Sequence, residues 1–186
     1  MKIYLASKSD RRYELLKQMG INFEVVDVDI DESCKENETP ITYVRRIAIE
    51  KARAGKLLTK NNLPVLAADT VVALDNLILG KAESKEDAIN MLEKLSGCTH
   101  NVLSAVTVID QKESTKININ KVTFKKLSKK DINNYCESNE PIGKAGGYAI
   151  QGKGVIFIEK LEGSYSGVMG LPLDETHQLL SDCILT

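Results

Sequence analysis

The sequence lacks long apolar runs, an excess of charge of either sign and closely spaced cysteines. It has no N-terminal apolar region of the signal-peptide type and no run of about 18 apolar residues, so neither a signal peptide nor a membrane span is expected. The formal net charge of −1 provides no general attraction to nucleic acid or to an anionic membrane. We therefore expect a cytoplasmic protein without a membrane partner or a stable nucleic-acid partner. Any anion site must be a local cluster of cations.

Cysteine and histidine are too sparse to predict a zinc site. His100 and His177 have no Cys or His at ligand spacing, and the four cysteines form no C-x-x-C pair: Cys34, Cys98, Cys136 and Cys183. Free thiols are typical of a reducing compartment. A metal bound here is expected to be a hard cation held by carboxylates and phosphate.

Strand and helix patterns alternate along the chain, without repeats, linkers or low-complexity tracts. The 186 residues are 42% hydrophobic and 27% charged, which is ordinary for a globular domain. Thr39-Pro40 is typical of a helix start, and the predicted strands include Phe23–Val28, Val65–Ala68 and Val155–Ile158. We predict one domain over residues 1–186 with an α/β fold, a mixed twisted sheet flanked by helices.

The N-terminal segment has the pattern of a polyphosphate site. A short apolar strand, Ile3 to Ala6, leads into Ser7, Ser9 and the pair Arg11-Arg12, and a helix starts at once. A helix N-terminus leaves N–H groups unpaired and attracts anions, and Arg offers a planar fork that matches phosphate oxygens. The alternative is that Ser9 only caps the helix and that the arginines are solvated.

Two acidic positions are candidates for catalysis or metal binding. Asp69 follows the apolar run Val65–Ala68, so we expect a buried strand to end there and to present a carboxylate in a crevice. Glu32 lies in an acidic cluster that needs a cation nearby. The alternatives are a turn aspartate that caps backbone groups and a solvated acidic loop.

Three lysines and one glutamine stand out beside glycines or at the edges of elements. Lys81 and Lys144 follow glycines, which permit close approach of a ligand, and Lys51 lies in Glu50-Lys51-Ala52. Gln151, between Ile150 and Gly152, can both donate and accept and so could read a base edge. A single lysine is more often a surface residue than a site residue.

Taken together, these segments resemble the Maf family of nucleoside triphosphate pyrophosphatases. The matching motifs occur in order over nearly the whole chain: Leu5-Ala6-Ser7-x-Ser9-x-Arg11-Arg12-x-Glu14-Leu15-Leu16, Asp31-Glu32, Glu50-Lys51-Ala52, Ala68-Asp69-Thr70-Val71-Val72, Gly80-Lys81, Ser96-Gly97-x-x-His100-x-Val102, Glu140-Pro141-x-x-Lys144-Ala145-Gly146, Ile150-Gln151-Gly152 and Gly170-Leu171-Pro172-Leu173. Each motif is weak alone, but the ordered set is specific.

The resemblance implies a Maf/ITPase-like fold, with two lobes around a central cleft, and hydrolysis of a nucleoside triphosphate to a monophosphate and pyrophosphate. It implies Asp69 as the catalytic proton acceptor and a divalent cation, Mg²⁺ or Mn²⁺, at Glu32 and Asp69. The substrate-binding residues would be Ser7, Arg12, Lys51, Lys81 and Lys144. A homodimer is an expectation from the family.

The resemblance also implies which base the substrate nucleotide carries. Arg11, Thr70 and Gln151 form the set associated with dTTP and UTP, whereas the branch acting on 7-methyl-GTP typically has Trp, Gln and Glu. The alternatives are the same chemistry on 7-methyl-GTP or on a modified pyrimidine nucleotide, or a nucleotide- or DNA-binding regulator of cell division without enzymatic activity. The sequence departs from the family pattern at Asp10, where Pro is usual, at Ser104-Ala105, where Thr-Gly is usual, and at Gly143, where Asp is usual.

Overall fold

The computed structural model describes residues 1–184, with side chains as far as residue 183, and is built on one seven-stranded mixed sheet. Its strand order is β2-β1-β3-β5-β6-β7, with β4 paired to β3. The β2–β1 and β1–β3 pairs are parallel and the others are antiparallel. The strands are β1 (Lys2–Leu5), β2 (Asn22–Val25), β3 (Val65–Leu74), β4 (Leu77–Leu79), β5 (Thr99–Ile109), β6 (Glu113–Phe124) and β7 (Ile158–Glu162). The predicted fold class is confirmed.

The helices pack on both faces of this sheet, and polar residues stand at the N-cap positions of the first five. They are α1 (Asp10–Gln18), α2 (Pro40–Leu58), α3 (Lys85–Leu95), α4 (Lys129–Cys136), α5 (Tyr165–Met169) and α6 (Leu173–Ile184), with a 3₁₀ turn over Lys153–Phe157. Thr39 Oγ1 accepts a hydrogen bond from the Thr42 N–H at 3.2 Å, which confirms the predicted start of α2. Among the described helices, none is long and apolar enough to cross a bilayer.

Two strand predictions were wrong in their limits. The strand predicted over Val155–Ile158 starts only at Ile158, because the Lys153 and Gly154 N–H groups donate to the Glu140 carboxylate and not to a neighbouring strand. The strand predicted over Phe23–Val28 ends at Val25, because its partner β1 ends at Leu5 and leaves the later residues without a ladder.

The prediction that a strand ends at Asp69 was also wrong. Strand β3 runs unbroken from Val65 to Leu74, and Asp69 pairs with Ala105 of β5 in its middle. The carboxylate does not interrupt the strand because a lysine neutralises it from the helix above. The crevice expected at the end of β3 arises instead where the neighbouring strand β1 ends.

A gap in the sheet opens one edge of β3 to solvent. Strand β1 pairs only with Val65 and Leu66, and β4 begins its pairing at Val72. Within the described chain, residues 67–71 therefore have no strand partner on this edge. Successive side chains of a strand point to opposite faces, so Asp69 and Thr70 border the gap from the two faces of the sheet.

Helix α2 covers one face of the sheet at short range. Its Val44 and Ala48 pack against Val71 and Ala73 of β3. A Cβ on Gly55 would lie 2.8 Å from the Ala6 Cβ, so the absence of a side chain at residue 55 permits the close approach of α2 to the end of β1. This packing holds the middle of α2 directly over the gap.

Candidate active site

A cavity of about 420 Å³ lies over the gap in the sheet. Its wall draws on the β1–α1 turn, the loop before α2, α2 itself, β3, the segment after β4, the glycine-rich loop and α5. Nine of the ten predicted site residues line it: Ser7, Arg11, Arg12, Glu32, Lys51, Asp69, Thr70, Lys81 and Lys144. The structure thus brings together side chains that are far apart in the sequence.

Lys51 joins the two predicted acidic residues. Its Nζ lies 2.8 Å from Asp69 Oδ1 and 2.9 Å from Glu32 Oε1, while Lys81 Nζ lies 3.2 Å from Glu32 Oε2. Asp69 and Lys51 are buried, and Lys81 is exposed. Burial alone would raise the pKa of Glu32, but the charges and hydrogen bonds of Lys51 and Lys81 hold it below its usual value.

Arg12 is held firmly at the other side of the gap. Its Nε donates to the Gly170 carbonyl at 2.8 Å, and its two terminal nitrogens contact Ser7 Oγ at 3.1 Å and Thr70 Oγ1 at 3.4 Å. Burial lowers the pKa of Arg12, the charge of Asp69 opposes that effect, and the guanidinium stays protonated. Three of its five N–H donors are used, and the other two remain for a ligand.

Arg11 adds a second guanidinium to the cavity wall. Among the described residues it has no ion-pair or hydrogen-bond partner, and burial lowers its pKa. Ser9 precedes α1 as the cap residue, but its side chain makes no capping bond, and its N–H donates to Ser7 Oγ at 3.2 Å. The first turn of α1 thus presents cationic and polar groups to the cavity, as the anion-site prediction requires.

The loop that carries Glu32 is clamped to α2. The Tyr43 hydroxyl donates a hydrogen bond to the Glu32 carbonyl at 2.9 Å. Two nitrogens of Arg46 donate to the Glu38 carboxylate at 2.7 Å each, and Arg46 also donates to the Ser33 carbonyl at 2.9 Å. Burial, with the nearby charges of Asp69 and Glu32, raises the pKa of Tyr43 to about 12. Glu32 is therefore fixed in the cavity wall, whereas Asp27, Asp29 and Asp31 of the acidic cluster are exposed.

Lys81 and Lys144 are brought together by main-chain pairing outside the sheet. Lys81 bridges to Ala145, the Ala82 N–H donates to the Lys144 carbonyl at 3.1 Å, and the Gly143 N–H donates to the Ala82 carbonyl at 2.9 Å. Gly143, with φ of 73°, also lines the cavity. The departure from the family pattern at residue 143 therefore lies in the cavity wall.

The tenth predicted residue, Gln151, is exposed and is not part of the cavity wall, although its neighbour Ile150 is. Glu140 holds the segment that carries Gln151. Its carboxylate accepts from the N–H groups of Lys153 at 2.9 Å and Gly154 at 3.2 Å and from the Tyr135 hydroxyl at 2.9 Å. Gln151 thus lies on a fixed turn at the cavity rim.

The cavity has a charged end and an apolar end. The charged end holds Lys51, Lys81, Glu32 and Asp69 on the α2 side of the sheet. The apolar end was not predicted from the sequence; it is formed by Val72, Val102, Tyr148, Ile150, Val168 and Met169. Phosphates fit the first end and a planar base fits the second.

The residues present fit a divalent cation. Asp69 and Glu32 converge on a single ammonium, so their carboxylates lie close enough to share one cation. Within the part of the chain that the structure describes, no group of three or more His, Cys, Asp or Glu is arranged to hold a metal. Mg²⁺ is commonly held by one or two carboxylates together with substrate phosphates, which matches this donor set.

The fold and the site together define a class of α/β protein with a cleft for a phosphate-bearing ligand. The chain belongs to the Maf-like protein family, whose pattern it matches over residues 2–183. It is 50% identical over 185 residues to the dTTP/UTP pyrophosphatase of Alkalilimnicola ehrlichii, covering 97% of this chain and 92% of the relative. It is 48% identical over 181 residues to the dTTP/UTP pyrophosphatase of Escherichia coli K12, with the same coverage.

A solved structure supports the fold independently. A nucleoside-triphosphatase, dITP/XTP pyrophosphatase, from Mycobacterium abscessus superimposes with a TM-score of 0.53 at 19% identity, covering 98% of this chain and 95% of that chain. At this identity the likeness concerns the fold alone.

Proposed function

We propose that this protein hydrolyses a nucleoside triphosphate, with dTTP and UTP favoured, to the monophosphate and pyrophosphate, and so removes unwanted nucleotides from the pool. The observation that carries the proposal is Lys51 between Asp69 and Glu32, next to Lys81 and across the gap from Arg12. The names of relatives about 50% identical over almost the full chain support both the reaction and the pyrimidine preference.

Charge neutralisation is the main task of such a site. A triphosphate carries about four negative charges, and phosphoryl transfer depends on positioning and electrostatic stabilisation. We assign this task to Arg12, Lys51 and Lys81, with Lys144 and Ser7 as further contacts on the substrate. Arg12 is pre-positioned by its bonds to Ser7 and Gly170, so little is lost in ordering it.

Asp69 is assigned as the group that orients the attacking water and takes its proton. It faces the cavity from a rigid central strand and has Lys51 on one oxygen, Oδ1. Glu32 and Asp69 would hold the divalent cation, Mg²⁺ or Mn²⁺. When bound, that ion would lower the pKa of a water and offset charge on the phosphates.

The test is a panel of dTTP, UTP, CTP and 7-methyl-GTP with Mg²⁺ or Mn²⁺, with separate detection of pyrophosphate and orthophosphate. We expect pyrophosphate from dTTP and UTP in preference to the others. Release of orthophosphate alone would mean cleavage at the terminal phosphate. A preference for 7-methyl-GTP would make that nucleotide, and not dTTP or UTP, the substrate. Tight DNA binding without hydrolysis would favour a regulator.

A further inference from the structure

A row of polar side chains crosses three strands beneath the apolar end of the cavity. Thr70 of β3 pairs with Ser104 of β5, and Ser104 pairs with Asn118 of β6. Ser104 is completely buried and does not line the cavity, whereas Thr70 does. The Thr70 and Ser104 hydroxyl oxygens lie 2.7 Å apart, and Ser104 Oγ lies 2.7 Å from the Gly167 carbonyl oxygen.

These two contacts determine where the hydroxyl protons lie. A carbonyl oxygen can only accept, so the short contact to Gly167 requires that Ser104 donate its single proton there. Ser104 can then only accept from Thr70, because otherwise two oxygens would face each other at 2.7 Å without a proton between them. The Gly170 carbonyl also lies near Thr70 Oγ1, but at 3.4 Å it is a much poorer acceptor for the same proton. The Thr70 proton is therefore directed away from the cavity.

The Gly167 carbonyl is itself held in place. A Cβ at residue 167 would lie 2.2 Å from Asn118 Oδ1, so α5 is seated directly on the β6 asparagines. Asn120 Oδ1 accepts from the Ser164 N–H at 2.6 Å, and the Ser164 hydroxyl accepts from the Gly167 N–H at 3.1 Å. The acceptor that orients Ser104 is therefore fixed by the sheet.

Thr70 consequently offers only lone pairs to the cavity. One of them receives the long 3.4 Å contact from Arg12, and the other remains for a ligand. Thr70 shares its face of the sheet with Val72, whose cross-strand partner Val102 also lines the cavity. The group that meets Thr70 thus belongs to the part of the ligand in the apolar end, not to the phosphates beside Lys51.

We propose that Ser104 is a specificity-determining positioning residue, which makes Thr70 an obligate hydrogen-bond acceptor for the base. Such an acceptor selects a base with an N–H at the contacted edge. Uracil and thymine carry a proton on N3, whereas the N3 of cytosine is an acceptor and would face the Thr70 lone pair. The inference rests on the proposed function and adds to it the device that favours uracil and thymine over cytosine.

The experiment compares Ser104→Ala with Ser104→Thr, measuring kcat and KM for UTP and CTP with pyrophosphate detection. In Ser104→Ala the Thr70 hydroxyl loses its 2.7 Å acceptor and keeps only the 3.4 Å contact to the Gly170 carbonyl, so its proton can turn to a better acceptor on a ligand. We therefore expect the UTP-to-CTP ratio of kcat/KM to fall about tenfold, the size of one mismatched buried polar group. The change should appear mainly in KM and include a gain for CTP. Ser104→Thr keeps the hydroxyl and should retain the wild-type ratio.

Thr107→Val is the matched control. Thr107 is also a completely buried hydroxyl residue of β5, bonded at 2.9 Å to Thr115 and remote from the cavity wall. Its removal should leave the ratio unchanged. An unchanged UTP-to-CTP ratio in a folded Ser104→Ala protein would overturn the proposal, because the Thr70 proton would then have no influence on the choice of base. An equal fall of the ratio in Thr107→Val would also overturn it, because the change would then reflect only a general loosening of the fold.

A second variant covers the case in which Ser104→Ala does not fold. Thr70→Val removes the acceptor and leaves Ser104 in place, so kcat/KM for UTP should fall about tenfold more than that for CTP; an equal loss for both would contradict the proposal. Failure of the inference is distinguishable from failure of the function. Wild-type protein that releases no pyrophosphate from any nucleotide refutes both, whereas release with an unaltered ratio in the variants refutes only the role of Ser104.

Discussion

Lys51 governs the charge balance of the proposed active site. Its ammonium contacts both Asp69 and Glu32, which would otherwise repel each other across a half-closed cavity. Breaking a buried ion pair by removing one partner leaves an uncompensated charge, so the three side chains act as one unit. A divalent cation would have to share these carboxylates with Lys51, and this links metal binding to arrival of the substrate.

Asp69→Asn tests the proton acceptor. The amide keeps the shape of the side chain and a contact to Lys51 but cannot take a proton, so we expect kcat to fall about 100-fold or more. The measurement is steady-state pyrophosphate release, with circular dichroism and a melting curve to establish folding. Activity within tenfold of wild type in a folded variant would refute the assignment.

Gln151→Glu tests the predicted base reader. Gln151 can donate an amide N–H to the O4 of uracil or thymine, and Glu lacks that donor. We expect kcat/KM for dTTP and UTP to fall selectively. Because Gln151 lies on the rim, Gln111→Glu, at a distant exposed position, controls for the added charge. An equal loss across all nucleotides would indicate a structural role.

At the scale of elements, the clamp between α2 and the loop that carries Glu32 should titrate in acid. The Arg46 hydrogen bonds, opposed by burial, lower the pKa of Glu38 from 4.5 to about 2. Because the folded value is the lower one, the resulting stability is fully present above pH 4.5 and is lost as the pH falls towards about 2. The clamp should therefore loosen over this window.

Glu38→Gln removes that titration. The measurement is the melting temperature of both proteins from pH 7 to pH 2. Wild type should melt at a higher temperature than Glu38→Gln at neutral pH, and this difference should shrink as the pH falls below 4.5. Glu36→Gln, an exposed position in the same loop, is the control and should follow wild type. A wild-type advantage independent of pH would contradict the assignment to Glu38.

The glycine-rich loop offers a matched pair of backbone variants. Gly143 and Gly146 both have positive φ, 73° and 66°, but a Cβ meets nothing within 4 Å at residue 143 and lies 2.9 Å from two Val72 methyl groups at residue 146. Gly143→Ala should cost about 1 kcal/mol in the free energy of unfolding from backbone strain alone. Gly146→Ala should cost a further 1–3 kcal/mol, roughly, from overpacking.

Denaturant unfolding of the two variants measures the difference. Equal losses at residues 143 and 146 would mean that the loop moves away from Val72 without cost. Substrate turnover is not the readout here, because Gly143 lines the cavity.

For the whole molecule, the gap beside β3 makes the active site a junction of segments distant in sequence. A ligand that bridges them should stabilise the fold, by about 2.7 kcal/mol at 100 times its dissociation constant. We expect a non-hydrolysable UTP analogue together with Mg²⁺ to raise the melting temperature by more than the sum of the increases that the analogue alone and Mg²⁺ alone produce. Mg²⁺ alone should have little effect, because Lys51 and Lys81 together already neutralise the two carboxylates. A full shift with Mg²⁺ alone would show a metal site independent of substrate.

The extent of one domain over residues 1–186, the cytoplasmic location and the homodimer stay predictions. Family membership and fold class are confirmed, and the charged residues predicted from local motifs do meet in one cavity.

Local chemistry in the sequence was sufficient for the alternation of strands and helices and for the start of α2, but not for the limits of β2, β3 and β7. Thr39-Pro40 predicts the start of α2, because a helix cap depends on residues within one turn. The capping boxes that the structure shows at Ser84 and Ser128, before α3 and α4, are local in the same way. The types of side chain needed to bind a phosphate could also be recognised in order along the chain.

Only the tertiary structure decided which distant groups meet. Lys51 and Asp69 are 18 residues apart, and Arg12 and Gly170 are 158 apart, so their contacts depend on strand register and on how closely α2 packs against the sheet. The same register places Asp69 in the middle of β3, forms the apolar end of the cavity and brings the Thr70 hydroxyl to Ser104. Register depends on the summed burial of many side chains, and no local motif encodes it.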